Sequence, residues 1–258
     1  MSTDPRLFVG QDLAAGQAVA LPKEDVHYLV NVMRRGAGDT VRLFNGRNGE
    51  WRAGIVEAGR KAALLEPVEQ TREQCSVPDL WLLFAPVKRQ KTDLVVEKAT
   101  ELGAAEIRPV STARTQSDRI KTDRFRLIAK EAAEQTERLD LPRVHELDRL
   151  DHVLDSWDPA RRLIYCDEAG DEDGVPWGGA RGRGRPMLEA LSAIEPGPAA
   201  ILIGPEGGFS PDERARLRSL DFVIPVTLGP RVLRAETAAV AALTLWQAAV
   251  GDWAVRAS

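Results

Sequence analysis

Short apolar runs separated by turn signals fill the first seventy residues of the chain. Two turn-forming Asn-Gly pairs, at residues 45–46 and 48–49, stand between two of these runs, as expected for strands. A helical spacing of apolar residues interrupts the pattern once, after Pro22 and the acidic residues Glu24 and Asp25, and Gly36 would end that helix. The pattern predicts a small β-barrel or sheet with strands at residues 7–9, 40–44, 51–57 and 63–68.

Strands alternate with helices in the rest of the chain, which is typical of an α/β fold with a mostly parallel sheet. Helices are predicted at 92–102, closed by Gly103, and around Phe125 to Ala132, whose apolar residues share one face. The polar stretch 71–78 ends in proline and is predicted to link domains at 1–70 and 79–258. The predicted strands of the second domain are residues 80–85, 106–110, 163–166, 200–203 and 222–226.

The composition argues against several classes of protein. With 258 residues, 43% of them hydrophobic and 29% charged, the chain is not expected to be disordered. The apolar stretch 237–251 is shorter than the roughly 20 residues of a membrane span, so we expect a buried helix there and no membrane association. The N-terminus has no basic start followed by an apolar run, which predicts a cytoplasmic protein. The two cysteines and three histidines form no ligand spacing, so neither a disulfide framework nor a metal site is expected.

The charge is unevenly distributed along the chain. The formal net charge is -4, yet residues 84–138 carry 12 Lys and Arg against 9 Asp and Glu, whereas residues 139–175 carry 4 against 11. Local basic clusters rather than the total decide nucleic-acid binding, although each alone is more often a solvated face. The clusters are Arg34 with Arg35, then Lys88, Arg89 and Lys91, and a glycine-rich run with Arg181, Arg183 and Arg185. For the loop 170–186 that holds this run, the sequence favours a plain insertion over a mobile basic arm on RNA.

Two glycine-rich motifs near the C-terminus carry the candidate chemistry. In the first, a buried strand runs into residues 204–208 (Gly-Pro-Glu-Gly-Gly), and Ser210 with Glu213 then predicts a capped helix. In the second, a strand ends in Gly229 and Pro230, and an Arg-x-Glu-Thr step opens an apolar helix. Each motif alone could be a tight strand-to-helix turn. Together, at the ends of consecutive strands, they are expected to line one crevice where backbone groups can approach a ligand.

These motifs, with others in the same order, resemble the SPOUT-class RNA methyltransferases and, within them, the ribosomal RNA small subunit methyltransferase E family. The resemblance covers nearly the whole chain. It rests on residues 202–208 and 228–238, supported by 88–103, by 131–135 with Arg138 and Pro142, and by 27–34, 38–39 and 43–46. It implies a C-terminal SPOUT α/β domain with a trefoil-knotted parallel sheet, preceded by a small PUA-like β-barrel that binds RNA. It further implies a homodimer that uses S-adenosylmethionine to methylate N3 of a uridine in the 16S rRNA of the 30S subunit.

The resemblance also assigns residues to the cofactor. They are Leu202, Ile203, Gly204, Pro205, Glu206, Gly207, Gly208, Leu228, Gly229, Pro230, Val232, Leu233, Glu236, Thr237 and Ala238. Three departures from the family pattern bear on the RNA side of the site. Glu137 stands where the family usually has glycine, Asp140 where a basic residue is common, and Asn45 where aspartate is usual.

Methylation of N3 requires removal of its proton and stabilisation of the anion that develops on O2 or O4. A guanidinium suits that task, so Arg234 is the first catalytic candidate and Arg138 the second. For Arg234, an ion pair with Glu236 at the start of a helix is an equally good interpretation. Glu206 and Glu236 would accept the proton only if burial raised the pKa of their carboxyls. Candidate RNA-binding residues are Arg34, Arg35, Lys88, Arg89, Lys91 and Arg138.

Three other functions remain open from the sequence. The chain could be a SPOUT methyltransferase with another rRNA or tRNA target, or a catalytically inactive RNA-binding knot protein. It could also be an α/β enzyme that does not methylate, which would not bind S-adenosylmethionine.

Overall fold

The computed structural model describes residues 4–116 and 120–253, with Arg89 described as backbone only. The chain divides into two compact units, residues 1–76 with 130–141 and residues 77–129 with 142–258. The division falls within the stretch predicted as a linker, although the last strand of the first unit continues to Arg72. The prediction had assigned residues 130–141 to the C-terminal domain, whereas the structure packs them with the N-terminal one.

The N-terminal unit is a five-stranded sheet, in which the four predicted strands are confirmed and a short fifth, β2, is added. The strands are β1 Arg6–Phe8, β2 Val19–Ala20, β3 Thr40–Phe44, β4 Glu50–Ala58 and β5 Ala63–Arg72. Their order in the sheet is β1-β3-β4-β5-β2. β1 pairs with β3 in parallel, and the other pairs are antiparallel. The predicted helix is present, but after one α-helical turn, α1 Lys23–Val26, it continues as a π-helix, His27–Val32.

A buried arginine explains why residues 130–141 belong to the first unit. Arg6 donates from Nε to Glu50 at 2.7 Å, and Glu50 is fully buried. The same guanidinium donates to the carbonyl oxygens of Ala133 and Arg138, both at 2.8 Å. A buried guanidinium requires hydrogen-bond acceptors, and the carbonyl groups of this segment supply them to Arg6. These contacts hold residues 130–141 against the sheet.

The three departures from the family motif lie in this unit, and two of them, Asn45 and Asp140, make side-chain hydrogen bonds there. The Asn45 amide donates to the carbonyl of Gln11 at 2.9 Å and to Oδ1 of Asn48 at 2.8 Å, which a carboxylate cannot do. Glu137 adopts a left-handed backbone with φ of 59°, the conformation that favours glycine. Asp140 accepts a hydrogen bond from Nε of Arg138 at 2.6 Å.

The C-terminal unit is built on a parallel sheet, and each of the five strands predicted for it is confirmed to within one residue at either end. The strands are β6 Leu80–Phe84, β7 Glu106–Ser111, β8 Arg143–Val144, β9 Asp148–Arg149, β10 Arg162–Cys166, β11 Arg185–Pro186, β12 Ala199–Ile203 and β13 Val223–Thr227. Their order in the sheet is β11-β13-β10-β12-β6-β7-β8, with β9 paired to β7. The helices are α2 Arg89–Glu101, α3 Thr122–Gln135, α4 Leu150–Asp155, α5 Met187–Leu191, α6 Pro211–Arg218 and α7 Ala235–Ala249, with a 3-10 turn at Pro176–Gly178.

The last helix returns across the sheet. β12 and β13 lie on opposite sides of β10, yet α7, which follows β13, packs against α2 and β12. Gln247 of α7 donates to the carbonyl of Leu102 at 2.8 Å, beside Gly103, whose φ of 78° confirms the predicted helix end. No helix in the described ranges is long and apolar enough to cross a membrane.

Candidate functional site

Three neighbouring parallel strands, β13, β10 and β12, end at one edge of the sheet. The turns after β12 and β13 are the two glycine-rich motifs, and the structure brings both to one cavity of about 230 Å³. Residues after β10 complete its wall. Open α/β sheets bind ligands outside the carboxyl ends of their strands, so the cavity has the expected position. The predicted cofactor residues that line it are Ile203, Gly204, Pro205, Glu206, Leu228, Val232, Leu233 and Ala238.

The remaining predicted cofactor residues have other positions. Leu202 is fully buried in the core, where it packs with Leu83 and Tyr165. The exposed Thr237 and the half-buried Glu236 lie in the first turn of α7. Gly229 and Pro230 belong to the second turn, and Gly207 and Gly208 line a second, adjoining cavity.

The first turn requires its glycines. A Cβ on Gly204 would lie 2.5 Å from the Phe209 ring, and Gly208 has a φ of 67°. The predicted helix cap follows directly. Ser210 Oγ accepts from the Glu213 amide at 3.2 Å, and the Glu213 carboxylate accepts from the Ser210 amide at 2.8 Å. This capping box fixes the point at which the turn ends and α6 begins.

A lysine and two carboxylates are clustered at the cavity. Lys91 forms an ion pair with Glu206 and lies 3.9 Å from Oε1 of Glu236. The hydrogen bond from Lys91 lowers the pKa of Glu206, so Glu206 does not meet the condition set for a proton acceptor. Oε2 of Glu236 is buried and has no hydrogen-bond partner among the described residues. Lys91, predicted to bind RNA, is thus placed beside the predicted cofactor residues.

Arg234 lies on the cavity wall and is exposed. It is the residue before α7 and makes no side-chain cap. Within the described part of the chain, the ion pair of Glu236 is formed with Lys91 and not with Arg234. The alternative interpretation of Arg234 as the helix-start partner of Glu236 is therefore not what the structure has.

The other predicted RNA-binding residues are not among those that line the cavity. Arg138 belongs to the N-terminal unit, where its side chain is 6% exposed and paired with Asp140. Arg34 is exposed and has a φ of 54°, just after the π-helix, and Arg35 is half-buried. Lys88 is exposed and precedes α2. The side chain of Arg89 lies outside the described part of the structure.

Sequence reasoning missed the third wall of the cavity. Cys166, Glu168 and Trp177 line it, all after or at the end of β10. The rule that located the two glycine turns, the carboxyl end of a parallel strand, would also have identified Glu168. Trp177 lies in the loop taken for an insertion, and no local signal marks it. Burial raises the pKa of the Cys166 thiol, so it stays protonated. No group of three His, Cys, Asp or Glu side chains suited to a metal occurs among the described residues.

Comparison with known proteins gives two matching family models. An RNA methyltransferase domain matches residues 73–247, and an RNA methyltransferase PUA domain matches residues 21–68. A ribosomal RNA small subunit methyltransferase E from Rickettsia conorii is 30% identical over 92% of this chain and 93% of its own length. These matches confirm the predicted fold class, a parallel α/β domain preceded by a PUA-like domain.

Two solved structures are also similar. The crystal structure of a ribosomal RNA small subunit methyltransferase E from Neisseria gonorrhoeae, bound to S-adenosyl methionine, superimposes with a TM-score of 0.82 at 25% identity, covering 97% of this chain and 99% of that one. A methyltransferase from Legionella pneumophila in complex with the same cofactor gives 0.81 at 30% identity, covering 97% and 100%.

Proposed function

Since the chain belongs to the ribosomal RNA small subunit methyltransferase E family, we propose that it transfers a methyl group from S-adenosylmethionine to N3 of a uridine in 16S rRNA. The observation that carries this proposal is the cavity at the sheet edge, which both glycine-rich motifs line. The structural relatives from Neisseria and Legionella bind the same cofactor. The cytoplasm, where ribosomal subunits assemble, is the proposed location.

The cavity suits S-adenosylmethionine. Apolar side chains of Ile203, Leu228 and Ala238 offer a surface for the adenine ring. Glu206 is ionised, and the buried Oε2 of Glu236 is left for a ligand, so two carboxylates face the cofactor's positive charges. The Gly204 turn keeps backbone groups accessible without a Cβ in the way. When bound, the cofactor supplies an electrophilic methyl group.

The residues of the chain mainly position the reactants. Arg234, exposed on the cavity wall, donates to the oxygen of the uracil that becomes negative as N3 loses its proton. Lys91 holds Glu206 and Glu236 in place and reduces their mutual repulsion. Because displacement at carbon must be collinear, this positioning provides most of the rate gain.

Basic residues of both units are proposed to hold the RNA. Lys88, Arg89, Arg34 and Arg35 bind phosphates, and such contacts set the register of the target without reading its bases. Arg138 is paired with Asp140, so we assign it to the structure of the N-terminal unit. The protein acts as a homodimer.

The test is mass spectrometry of nucleosides from small-subunit rRNA. Subunits from cells that lack the gene are incubated with the pure protein and S-adenosylmethionine, and 3-methyluridine is expected. Arg234→Ala should lower kcat at least tenfold, since it removes an anion-stabilising donor. Arg162→Ala, an exposed arginine at the opposite end of β10, is the matched control and should be unchanged. If the protein binds the cofactor but no methylated nucleoside appears, the assignment of 16S rRNA as its substrate is refuted. A methylated nucleoside other than 3-methyluridine would identify another target.

A further inference from the structure

A second cavity adjoins the first and shares two wall residues with it. It measures about 390 Å³, and Glu168 and Trp177 line both cavities. Its other walls come from the Gly207–Gly208 turn, Arg114 and Arg214. A ligand in this cavity would therefore lie directly beside one held by the two glycine-rich turns. Two reactants that must meet need such an arrangement.

Buried charges hold the shared wall in place. Asp167 is 1% exposed and accepts hydrogen bonds from Arg214 at 3.0 Å and from Arg218 at 2.6 Å, both on α6. Arg218 also donates to the carbonyl of Gly182 at 2.6 Å, and the amide of Gly170 donates to the carbonyl of Trp177 at 2.8 Å. The loop 170–186, for which the sequence favoured a plain insertion over a mobile basic arm, is thus folded against α6 and supplies a wall of both cavities.

Trp177 offers an aromatic face at this wall. The residue is 40% exposed, and its backbone adopts a φ of 55°. A Cβ on Gly208 would come within 3.1 Å of the ring. The strained backbone and the glycine opposite keep the ring in the cavity. Flat aromatic surfaces of this kind stack on bases that have been turned out of an RNA strand.

Glu168 offers a hydrogen-bond acceptor at the same wall. One carboxylate oxygen lies 2.9 Å from the position of a Cβ on Gly208, next to the ring of Trp177. Among the described residues, no side chain donates a hydrogen bond to this carboxylate. A carboxylate that is bonded only by its own backbone amide keeps further acceptor positions, and on a cavity wall these are available to a ligand that brings its own donor.

We propose that the second cavity receives the target uracil, with Trp177 stacked on the ring and Glu168 accepting the hydrogen of N3. This inference rests on the proposed function and adds the base-binding subsite and the proton acceptor. The N3–H bond breaks and its proton passes to Glu168, while the N3–methyl bond forms and the methyl–sulfur bond breaks, its electron pair remaining on sulfur. Uracil carries a hydrogen at N3 and cytosine does not, so a carboxylate here also selects uridine.

The surroundings of Glu168 fit a proton acceptor. Burial raises the pKa of Glu168, and the neighbouring Asp167 adds to the rise, while a hydrogen bond from the backbone amide of Glu168 itself opposes it, as do Arg214 and Arg183. A carboxylate with a raised pKa is a better base for a weak acid such as N3–H. The rate should therefore increase with pH as Glu168 ionises. The other charged groups that line the two cavities are Arg114, Glu206, Arg231 and Arg234.

Variants at the two residues test the subsite. For Trp177→Ala, KM for the 30S subunit should rise about tenfold, with kcat and the cofactor Kd unchanged, and Trp177→Phe should restore most of the loss. For Glu168→Gln, kcat should fall about a hundredfold at unchanged KM and cofactor Kd, since the amide still accepts the N3 hydrogen but takes no proton. The acidic limb of its pH profile should disappear. The controls are Trp253→Ala and Glu189→Gln, both exposed.

The outcomes are distinguishable. A weaker cofactor Kd in Trp177→Ala at unchanged KM would assign the second cavity to the cofactor and overturn the inference. An unchanged kcat and pH profile in Glu168→Gln would overturn the proton role. If the unmodified protein yields no 3-methyluridine on 30S subunits, the proposed function itself fails. If the unmodified protein does yield 3-methyluridine, and both variants keep its kcat, KM and pH profile, only the proposed subsite is refuted.

Discussion

Glu134 is a largely buried carboxyl whose ionisation should destabilise the N-terminal unit. It lies near the end of α3, its side chain is 13% exposed, and it accepts the Phe8 amide hydrogen at 2.9 Å. Burial raises its pKa to about 7, although the Phe8 hydrogen bond and Lys130 oppose the rise. We consider the replacement Glu134→Gln. Glutamine keeps the shape of the side chain and an oxygen for the Phe8 amide, and it removes the charge.

The size and sign of the effect follow from the two pKa values. In the unfolded chain Glu134 ionises near 4.5, whereas in the folded protein it ionises near 7. The folded state therefore keeps the proton up to a higher pH than the unfolded state does. The free energy of unfolding falls as pH rises between these two pKa values. The difference corresponds to roughly 3 kcal/mol at full ionisation. Glu134→Gln should thus leave stability unchanged below pH 4.5 and raise it by up to about 3 kcal/mol at pH 8.

Hydrogen exchange read by mass spectrometry on peptides from β1 and β3 reports the opening of this unit alone. Protection should differ little between the variant and the unmodified protein near pH 4.5, and the gain should grow with pH after correction for the intrinsic exchange rate. Glu131→Gln, an exposed position on the same helix, is the control and should show no such trend. An equal gain at both pH values, or none at pH 8, would refute the reasoning.

Two further replacements test the departures from the family motif. Asn45→Asp should destabilise the N-terminal unit by about 2 kcal/mol, since a carboxylate would face the two oxygens to which the amide now donates. Exchange protection in β3 and β4 measures this, and an unchanged value would contradict the assigned hydrogen bonds. Glu137→Gly should stabilise the unit by up to about 1 kcal/mol, because glycine adopts the left-handed backbone without strain. A loss of protection there would show that the Glu137 side chain matters more than its backbone.

Local patterns were sufficient for the sheet. β12 is buried at all five positions, and a short, fully apolar run between turn signals predicts such a strand. The helix α2 begins at Arg89, three residues before its predicted start. Its N-cap residue, Lys88, makes no side-chain capping hydrogen bond, so the sequence held no capping signature that would mark this start. The capping box at Ser210 has that signature, and the start of α6 was predicted correctly.

Contacts between residues that are far apart in the chain could not be predicted from the sequence. Arg6 lies more than 120 residues from the carbonyls of Ala133 and Arg138 that it binds, so no periodicity indicated that residues 130–141 return to the first unit. The candidate site was likewise predicted only in part. Both glycine turns follow from the rule for parallel strands, whereas the place of Trp177 depends on arginines of α6 that pair with Asp167. Lys91 was predicted to bind RNA as a member of a basic cluster, and its ion pair with Glu206, which is 115 residues away, had no signal in the sequence.

The folded loop 170–186 also affects the thermodynamics of association. Ordering a free segment costs about 1–2 kcal/mol of backbone entropy for each residue, and a loop that closed only around its ligand would subtract that cost from the affinity. Here the pairing of Asp167 with Arg214 and Arg218 orders the segment during folding. A ligand that binds beside Trp177 therefore meets a surface that is already folded, and we expect its binding to show neither a large entropic penalty nor a slow step of loop closure.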